Sequence, residues 1–349
     1  MNEIQVQRLS LGDRDAFRQW ETYVRGKDAS TGYHLPAWPK IFKDAFGHDT
    51  YLLAAFRDGV IVGTLPLTHV RSLLFGSFLV SLPFVNYGGL LFDDPVGGQA
   101  LVDAAKDLSR CLKTKSVELR HQLPSGCNLP AKTDHKISMV LDLPAGHALL
   151  WKGFKDKVRN QVRKAQKGGL IIQKGRAHLL DDFYRVFCVN MRDLGTPVYA
   201  KSFFKAVLDH FPNDTQVLCV KSGGLCIAAG ILYAYGNTLQ MPWASSLLSH
   251  RNQCPNHLLY WEALKQAADA GFAHFDFGRS TPGSGPWRFK KQWGTREVPL
   301  HWEYILLDGQ DVPGLSTSNP KFSLAISAWK KMPLPIANFL GPTIVRGIP

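Results

Sequence analysis

At 349 residues the chain is too long for one small hydrophobic core and suits about two domains. Its 45% hydrophobic share excludes a disordered polymer, and 41 Lys+Arg against 28 Asp+Glu give a formal charge of +13, which favours anionic partners such as nucleic acid, phosphorylated precursors or an acidic membrane face. Six scattered cysteines, with no CxxC pair and no Cys/His cluster at zinc-ligand spacing, give no reason to expect a metal; reduced thiols in a cytoplasmic protein are the simplest reading.

The N-terminal stretch MNEIQVQRLSLGDRDAF has no apolar segment of the kind a signal peptide needs, so export is not expected. Thr50–Val70 reads as strand, tight turn at Asp58-Gly59, and a longer strand. The uncharged run Ser72–Phe92 raises the question of a membrane span, but Pro83, Asn86, Tyr87, Gly88 and Gly89 inside it argue for strands and a turn. Asn86 and Tyr87 fit two roles: a loop that presents polar groups to a ligand, or a hairpin connection. A strand at Phe78–Leu82, a helix over Gly98–Cys111 and a strand at Ser116–Arg120 complete this half, and LDLPAGH at 142–148 marks a boundary.

The same order returns half a chain later. Thr215–Tyr235, with a turn at Gly223-Gly224, is followed by a strand at Thr238–Ala244, a helix over Asn256–Ala270 and a strand at Ala273–Phe277. Before this second copy, Trp151, Phe154, Val158, Val162 and Ala165 recur every three to four residues and form a buried stripe. Arg159 and Arg163 fall one turn apart on another face, where planar guanidinium groups could grip a diphosphate or carboxylate; a solvated helix face is the alternative. Arg192, Thr196 and Tyr199, around an LGTP turn, are weaker substrate-binding candidates, and Trp243 at a strand end is either core or the wall of a cleft.

His274–Thr295, HFDFGRSTPGSGPWRFKKQWGT, leaves a buried strand for a Gly/Pro-rich loop crowded with cations and rings. Asp276 either orients an amine, acts as base, or bonds backbone in the turn at Gly278; Arg279 beside it either neutralises it or binds substrate. Lys290 and Lys291 compete as the functional cation of this loop, since neighbours in an extended segment point opposite ways. The proline-rich tail, residues 311–349, either rests on an anionic membrane or packs over the domains.

The repeated order is similar to the GNAT acyltransferase core, and a tandem of two such cores resembles the FemABX family of aminoacyl ligases. KDKVRNQVRKAQKGGL at Lys155–Leu170 resembles the basic helix that opens the second Fem domain, and FDFG followed by FKKQWG resembles the family's last strand and its FK loop. PFVNYGG, RDLGTPV, WKKMPLP and LGP resemble the Fem-like branch associated with bacterial exosortase and exopolysaccharide gene clusters. The resemblance implies an α/β fold of two tandem GNAT-like domains with mixed sheets flanked by helices, at residues 1–145 and 146–310, with the tail beyond. It also implies transfer of an aminoacyl or acyl group to a phosphorylated or lipid-linked sugar precursor. Arg159 and Arg163 would contact that precursor, and Lys290, which follows Phe289 in the FK pattern, would stand at the reaction centre.

An acyl-CoA-binding GNAT cradles pyrophosphate on a Gly-rich loop before the helix that follows its third core strand. Here SHRNQCPN at Ser249–Asn256 has no glycine, so a conventional acyl-CoA is disfavoured and aminoacyl-tRNA, the Fem donor, is expected, with no tightly bound cofactor. No nucleotide-hydrolysis, zinc-peptidase or serine-esterase motif occurs.

Overall fold

The computed structural model of the chain describes residues 3–72, 76–307, 312 and 320–348. In chain order the first half holds β1 (Gln5–Leu9), α1 (Arg14–Arg25), α2 (Ala37–Phe46), β2 (Asp49–Arg57), β3 (Val60–Ser72), β4 (Gly76–Val80), β5 (Leu91–Phe92), α3 (Pro95–Leu112), β6 (Ser116–His121) and β7 (Ala131–Lys132). Then come β8 (Ile137–Asp142), α4 (His147–Gly153), α5 (Asp156–Lys167), β9 (Ile171–Gly175), α6 (Leu180–Leu194), α7 (Lys201–His210), β10 (Thr215–Ser222), β11 (Leu225–Tyr235) and β12 (Thr238–Ser246). The chain continues through α8 (Pro255–Asp269), β13 (His274–Ser280), α9 (Gly285–Lys291), β14 (Arg296–Pro299), β15 (His301–Leu306), α10 (Pro320–Lys330) and α11 (Leu334–Val345).

The expected repeat is present strand for strand. One sheet runs β1-β2-β3-β4-β6-β15-β7, with β5 beside β3, and the other runs β9-β10-β11-β12-β13-β8-β14. Both hairpins close through two residues with positive φ, Asp58 (52°) and Gly59 (77°) or Gly223 (54°) and Gly224 (82°), the geometry that matches the natural twist of paired strands. The β4·β6 and β12·β13 neighbours are parallel, because a helix, α3 or α8, carries the chain back between them.

The domain limits differ from the expected cut at residue 145. The first compact unit comprises 1–135, 299–315 and 346–349, and the second comprises 136–298 and 316–345. The cause is a reciprocal exchange: β8, just after the first half, pairs with β13, whereas β15, after the second half, pairs with β6. Each exchanged strand buries core side chains in its adopted sheet. Met139 joins Phe275, Phe277, Leu259 and Trp293, and Ile305 joins Leu79, Leu101, Val117 and Leu119. Alternation along a strand says that one face is buried but not against which sheet, so the exchange is invisible in local pattern.

Further differences concern local elements. The stripe from Trp151 to Ala165 spans two helices, broken at Phe154-Lys155, with Phe154, Val158, Val162 and Ala165 buried. In the uncharged run Ser72–Phe92, residues 73–75 lie outside the described ones, and Ser81–Leu90 is irregular buried backbone and not a hairpin. No helix among the described residues is long and apolar enough to cross a membrane. Of the tail, residues 311, 313–319 and 349 lie outside the described ones, and the described part contains α10 and α11.

A fragment of residues 1–145 lacks β15, which leaves the β6 edge unpaired and removes Ile305 from the core. It is expected to melt without cooperativity by circular dichroism. The same fragment with residues 299–307 appended through a flexible linker should regain a cooperative transition; equal melts for the two would contradict the exchange.

Candidate active site

The site in the second unit begins where two parallel strands separate. β12 and β13 pair at Thr238↔His274, Leu239↔Phe275 and Gln240↔Asp276, and the ladder then stops although both strands continue. Each strand carries an irregularity at that point. Against β11, Met241 and Pro242 oppose the single residue Leu232, and proline supplies no N–H to a ladder. Against β8, Phe277 and Gly278 oppose Met139, with Gly278 at φ 77°. The paired bulges turn the strands apart.

Polar side chains gather on one face of this opening. Residues in register on parallel strands share a face, so Gln240 and Asp276 lie side by side, opposite Leu239, Met241, Phe275 and Phe277, which pack in the core. Asp276 Oδ1 accepts from Ser138 Oγ and from the Gly278 N–H, each at 2.7 Å, and is 1% exposed. Gln240 Oε1 on this face is buried without a hydrogen-bond partner, and Ser280 Oγ is likewise unbonded on the opposite face, beside Ile137. Buried polar atoms in that condition are uncommon in folded proteins.

Lys290 enters this neighbourhood from α9. The segment is a helix and not the extended loop expected: Ser284 caps it, its Oγ accepting from the Trp287 N–H at 3.3 Å, and Pro286 occupies the first turn. Helical rotation therefore separates the two lysines. Lys290 is buried and its Nζ donates to the carbonyls of Gly278 at 2.9 Å and Arg279 at 3.1 Å. Lys291 points outward to Glu297 at 2.9 Å and lies 4.4 Å above the Trp287 ring. Burial pushes the Lys290 ammonium down to about 8, opposed by the Asp276 charge and aided by Arg279. The rings of FKKQWG are structural: Trp293 is buried against Phe154 and Phe277, and Phe289 meets Tyr260 and His257.

The other expected residues are dispersed. Arg159 pairs with Asp156 on its own helix, with its Nε buried and unbonded, and Arg163 lies 5.5 Å over Trp151. Tyr199 and Trp243 belong to the aromatic layer of α6 and α7, Trp243 lying edge-on to Phe203 and Phe204. Thr196 follows the αL cap at Gly195, its N–H bonded to the Met191 carbonyl. Arg192 bonds Asp193 and the Met332 carbonyl, at the rim of an open basin of about 580 Å³. Ahead of α8, Leu248–Gln253 forms a 3₁₀ turn, and Cys254 at φ 59° stands where a glycine would be expected.

In the first unit the matching place is sealed. β4 and β6 pair only at Leu79↔Val117 and Val80↔Glu118, but the chain itself fills the gap beyond: Gly88 N donates to the Arg120 carbonyl at 2.9 Å, and Arg120 N to Ser81 Oγ at 3.0 Å. Beside this plug lies a cavity of about 410 Å³ lined by His34, Tyr87, Gly88, Gly89, His121 and Ser125 among others. Tyr87 packs edge-on to Tyr33 at 5.2 Å, and Asn86 Nδ2 is buried without a partner. His34 Nδ1 accepts from the Thr31 N–H at 2.9 Å. His121 Nε2 has no hydrogen-bond partner and stands 3.7 Å from Glu303, whose carboxylate is held by the Ser125 N–H and hydroxyl. Burial, with repulsion from His121, pushes His34 down to about 3; burial, with repulsion from His301, pushes His121 to about 4. Ser138, Gln240, His34 and His121 were not expected from the sequence, because each is an ordinary polar residue until folding buries it.

A family model described as an acetyltransferase (GNAT) domain matches residues 152–291, which contain the strand opening and Lys290. No curated protein matches the sequence. Among solved structures, the chain is similar to FemX, with 16% identity, 87% of this chain and 98% of that one covered, and a TM-score of 0.66. It is also similar to a tandem GNAT protein from the clavulanic acid biosynthesis pathway, at 12% identity, 88% and 100% coverage and 0.55. L-PGS from Bacillus licheniformis matches at 11% identity, 92% and 98% coverage and 0.54. The fold is thus that of tandem GNAT proteins.

Two opposite pH dependences of stability follow. The histidines titrate lower in the folded state than the usual 6.5, so unfolded chains bind more protons between 6.5 and about 4, and stability falls on acidification through that window by up to roughly 1.4 kcal/mol per pH unit for each. Lys290 titrates below 10.5, so its contribution rises as pH increases from about 8 towards 10.5. Urea melts of wild type, His121→Gln and Lys290→Met across pH 4 to 10 should show each slope flattened in its own variant; unchanged slopes would contradict the assignments.

Proposed function

We propose that this chain transfers an aminoacyl or acyl group to an amine or hydroxyl of a phosphorylated sugar precursor, soluble or lipid-linked, of the cell envelope or of an exopolysaccharide. The observation that carries the reading is the buried Lys290 ammonium, held on the Gly278 and Arg279 carbonyls at the β13 bulge where β12 and β13 separate, with the Asp276 charge supporting it and Gln240 Oε1 unbonded in register with Asp276. Acyl transfer forms a carbon–nitrogen or carbon–oxygen bond through an oxyanion and then expels the donor's alcohol or thiol. An ammonium has three donors, and two are used on the Gly278 and Arg279 carbonyls, which fix its position and leave the third for the oxyanion. Asp276, engaged by Ser138 and Gly278, acts as a positioning residue that holds the bulge and supports the lysine's charge.

Aminoacyl-tRNA is the proposed donor: the turn before α8 has no glycine, and the chain's net charge suits a polyanion. The match to an acetyltransferase domain favours acyl-CoA as the second reading. Titration calorimetry separates them, since micromolar binding of CoA would overturn the tRNA version. The acceptor's phosphates are proposed to meet Arg159 and Arg163 of the second unit.

Mass spectrometry of precursor pools with and without the gene tests the reaction; identical pools would refute it. With a working assay, Lys290→Ala should lower kcat by roughly 10²–10³ with little change in KM. Wild-type kcat should decline above about pH 8 as the ammonium loses its proton, and Asp276→Asn should move that limb to lower pH by removing the charge that supports it.

A further inference from the structure

The α11 helix poses a problem that the reaction centre does not solve. Leu334–Val345, LPIANFLGPTIV, has no charged residue, and its apolar residues face outward as well as inward. An amphipathic helix lying on a protein in water should be polar on its outer side. One side of α11 is a narrow contact of small residues, Ala337, Gly341 and Val345, all buried. Gly341 sits so close to Val198 that a Cβ would come within 2.9 Å of its backbone nitrogen. The outward side carries Ile336, Phe339, Leu340 and Ile344, spaced three and four residues apart, with Phe339 81% and Ile336 49% exposed. Leu324 on α10 adds another large apolar side chain at 73% exposure.

Cations adjoin this apolar stripe. Lys330 ends α10 and Lys331 follows it in the turn to α11, and both are exposed. Arg192 donates to the Met332 carbonyl in the intervening turn at 3.1 Å, and it lines the open basin of about 580 Å³ together with Ser249, the exposed Arg251 and Leu248, itself 61% exposed.

We infer that α11 and the α10–α11 turn form an interfacial docking surface for an anionic phospholipid bilayer, with the apolar stripe entering the acyl boundary and Lys330, Lys331 and the Arg192–Arg251 basin meeting headgroup phosphates. A helix of 12 residues is about 18 Å long, too short to cross a hydrocarbon core of about 30 Å, so it lies in the interface. A second copy of the chain fits less well: four side chains offer a few hundred Å², short of the roughly 800 Å² per partner of a stable dimer, and two such surfaces would bring like charges together. The inference does not depend on the chemistry served by Lys290.

Flotation of the full chain with vesicles of phosphatidylcholine, alone or mixed with phosphatidylglycerol, tests it. Wild type should bind the anionic vesicles in preference to the neutral ones, with affinity falling as salt rises. Phe339→Asp with Ile344→Asp should weaken binding by about tenfold or more, with Phe339→Ser as a milder version, and thermal melts should remain at wild type because these side chains are exposed. Lys330→Glu with Lys331→Glu should abolish the preference for phosphatidylglycerol. No flotation with either vesicle, undiminished flotation of the Asp variants, or a dimer in sedimentation velocity that those variants dissolve would overturn the inference.

Discussion

The reaction centre proposed for the second unit depends on one local constraint, the parting of β12 from β13 after Gln240 and Asp276. Two parallel strands do not separate without cause, since each lost ladder bond leaves a donor and an acceptor to be satisfied. Here the causes are specific: a proline-bearing bulge on β12, a glycine-bearing bulge on β13, and a carboxylate and a lysine that occupy groups freed by the second. Asp276 binds the Gly278 N–H while Lys290 binds the Gly278 carbonyl, so both polar ends of one residue are fixed by side chains of opposite charge. Removing either partner would leave a buried charge or a buried backbone group unpaired, which is why the two residues are expected to act as one unit.

The first unit shows what the same architecture does when it is not open. Its parallel pair β4 and β6 also separates early, but the segment from Ser81 to Leu90 fills the space with its own backbone and takes the ladder bonds that a ligand would otherwise meet. Duplication of one strand plan has thus produced two different results. One sheet keeps its opening and has a cation beside it, while the other closes its opening and leaves a neighbouring cavity lined by neutral, buried histidines. Because β15 joins the first sheet, that sheet is not complete until the chain has been made through residue 306, after every strand of the second sheet.

Charge is used differently in three places. Around Lys290 a cation is held in low dielectric, where its proton is weakly bound and its field is strong. In the first-unit cavity burial keeps His34 and His121 neutral, so they offer hydrogen bonds and not charge at ordinary pH. At the α10–α11 turn the lysines remain exposed and fully solvated, as long-range attraction to an anionic surface requires.

The order of elements was legible in the sequence because it is written in short-range signals: two-residue turns at Asp58-Gly59 and Gly223-Gly224, helical spacing in α3 and α8, and a repeat that reports the same plan twice. Lys290 was legible only through the resemblance of FKKQWG to a known loop, since an extended reading left Lys290 and Lys291 equivalent. The helix cap at Ser284 broke that symmetry by turning one lysine inward and the other to solvent. Tertiary structure alone decided which sheet β8 and β15 would join, that Ser138 meets Asp276 across 138 positions of sequence, and that Trp243 and Trp293 are core. The physical reason is common to these cases: local pattern records that a side chain or strand edge must be buried or paired, and only the folded chain determines with what.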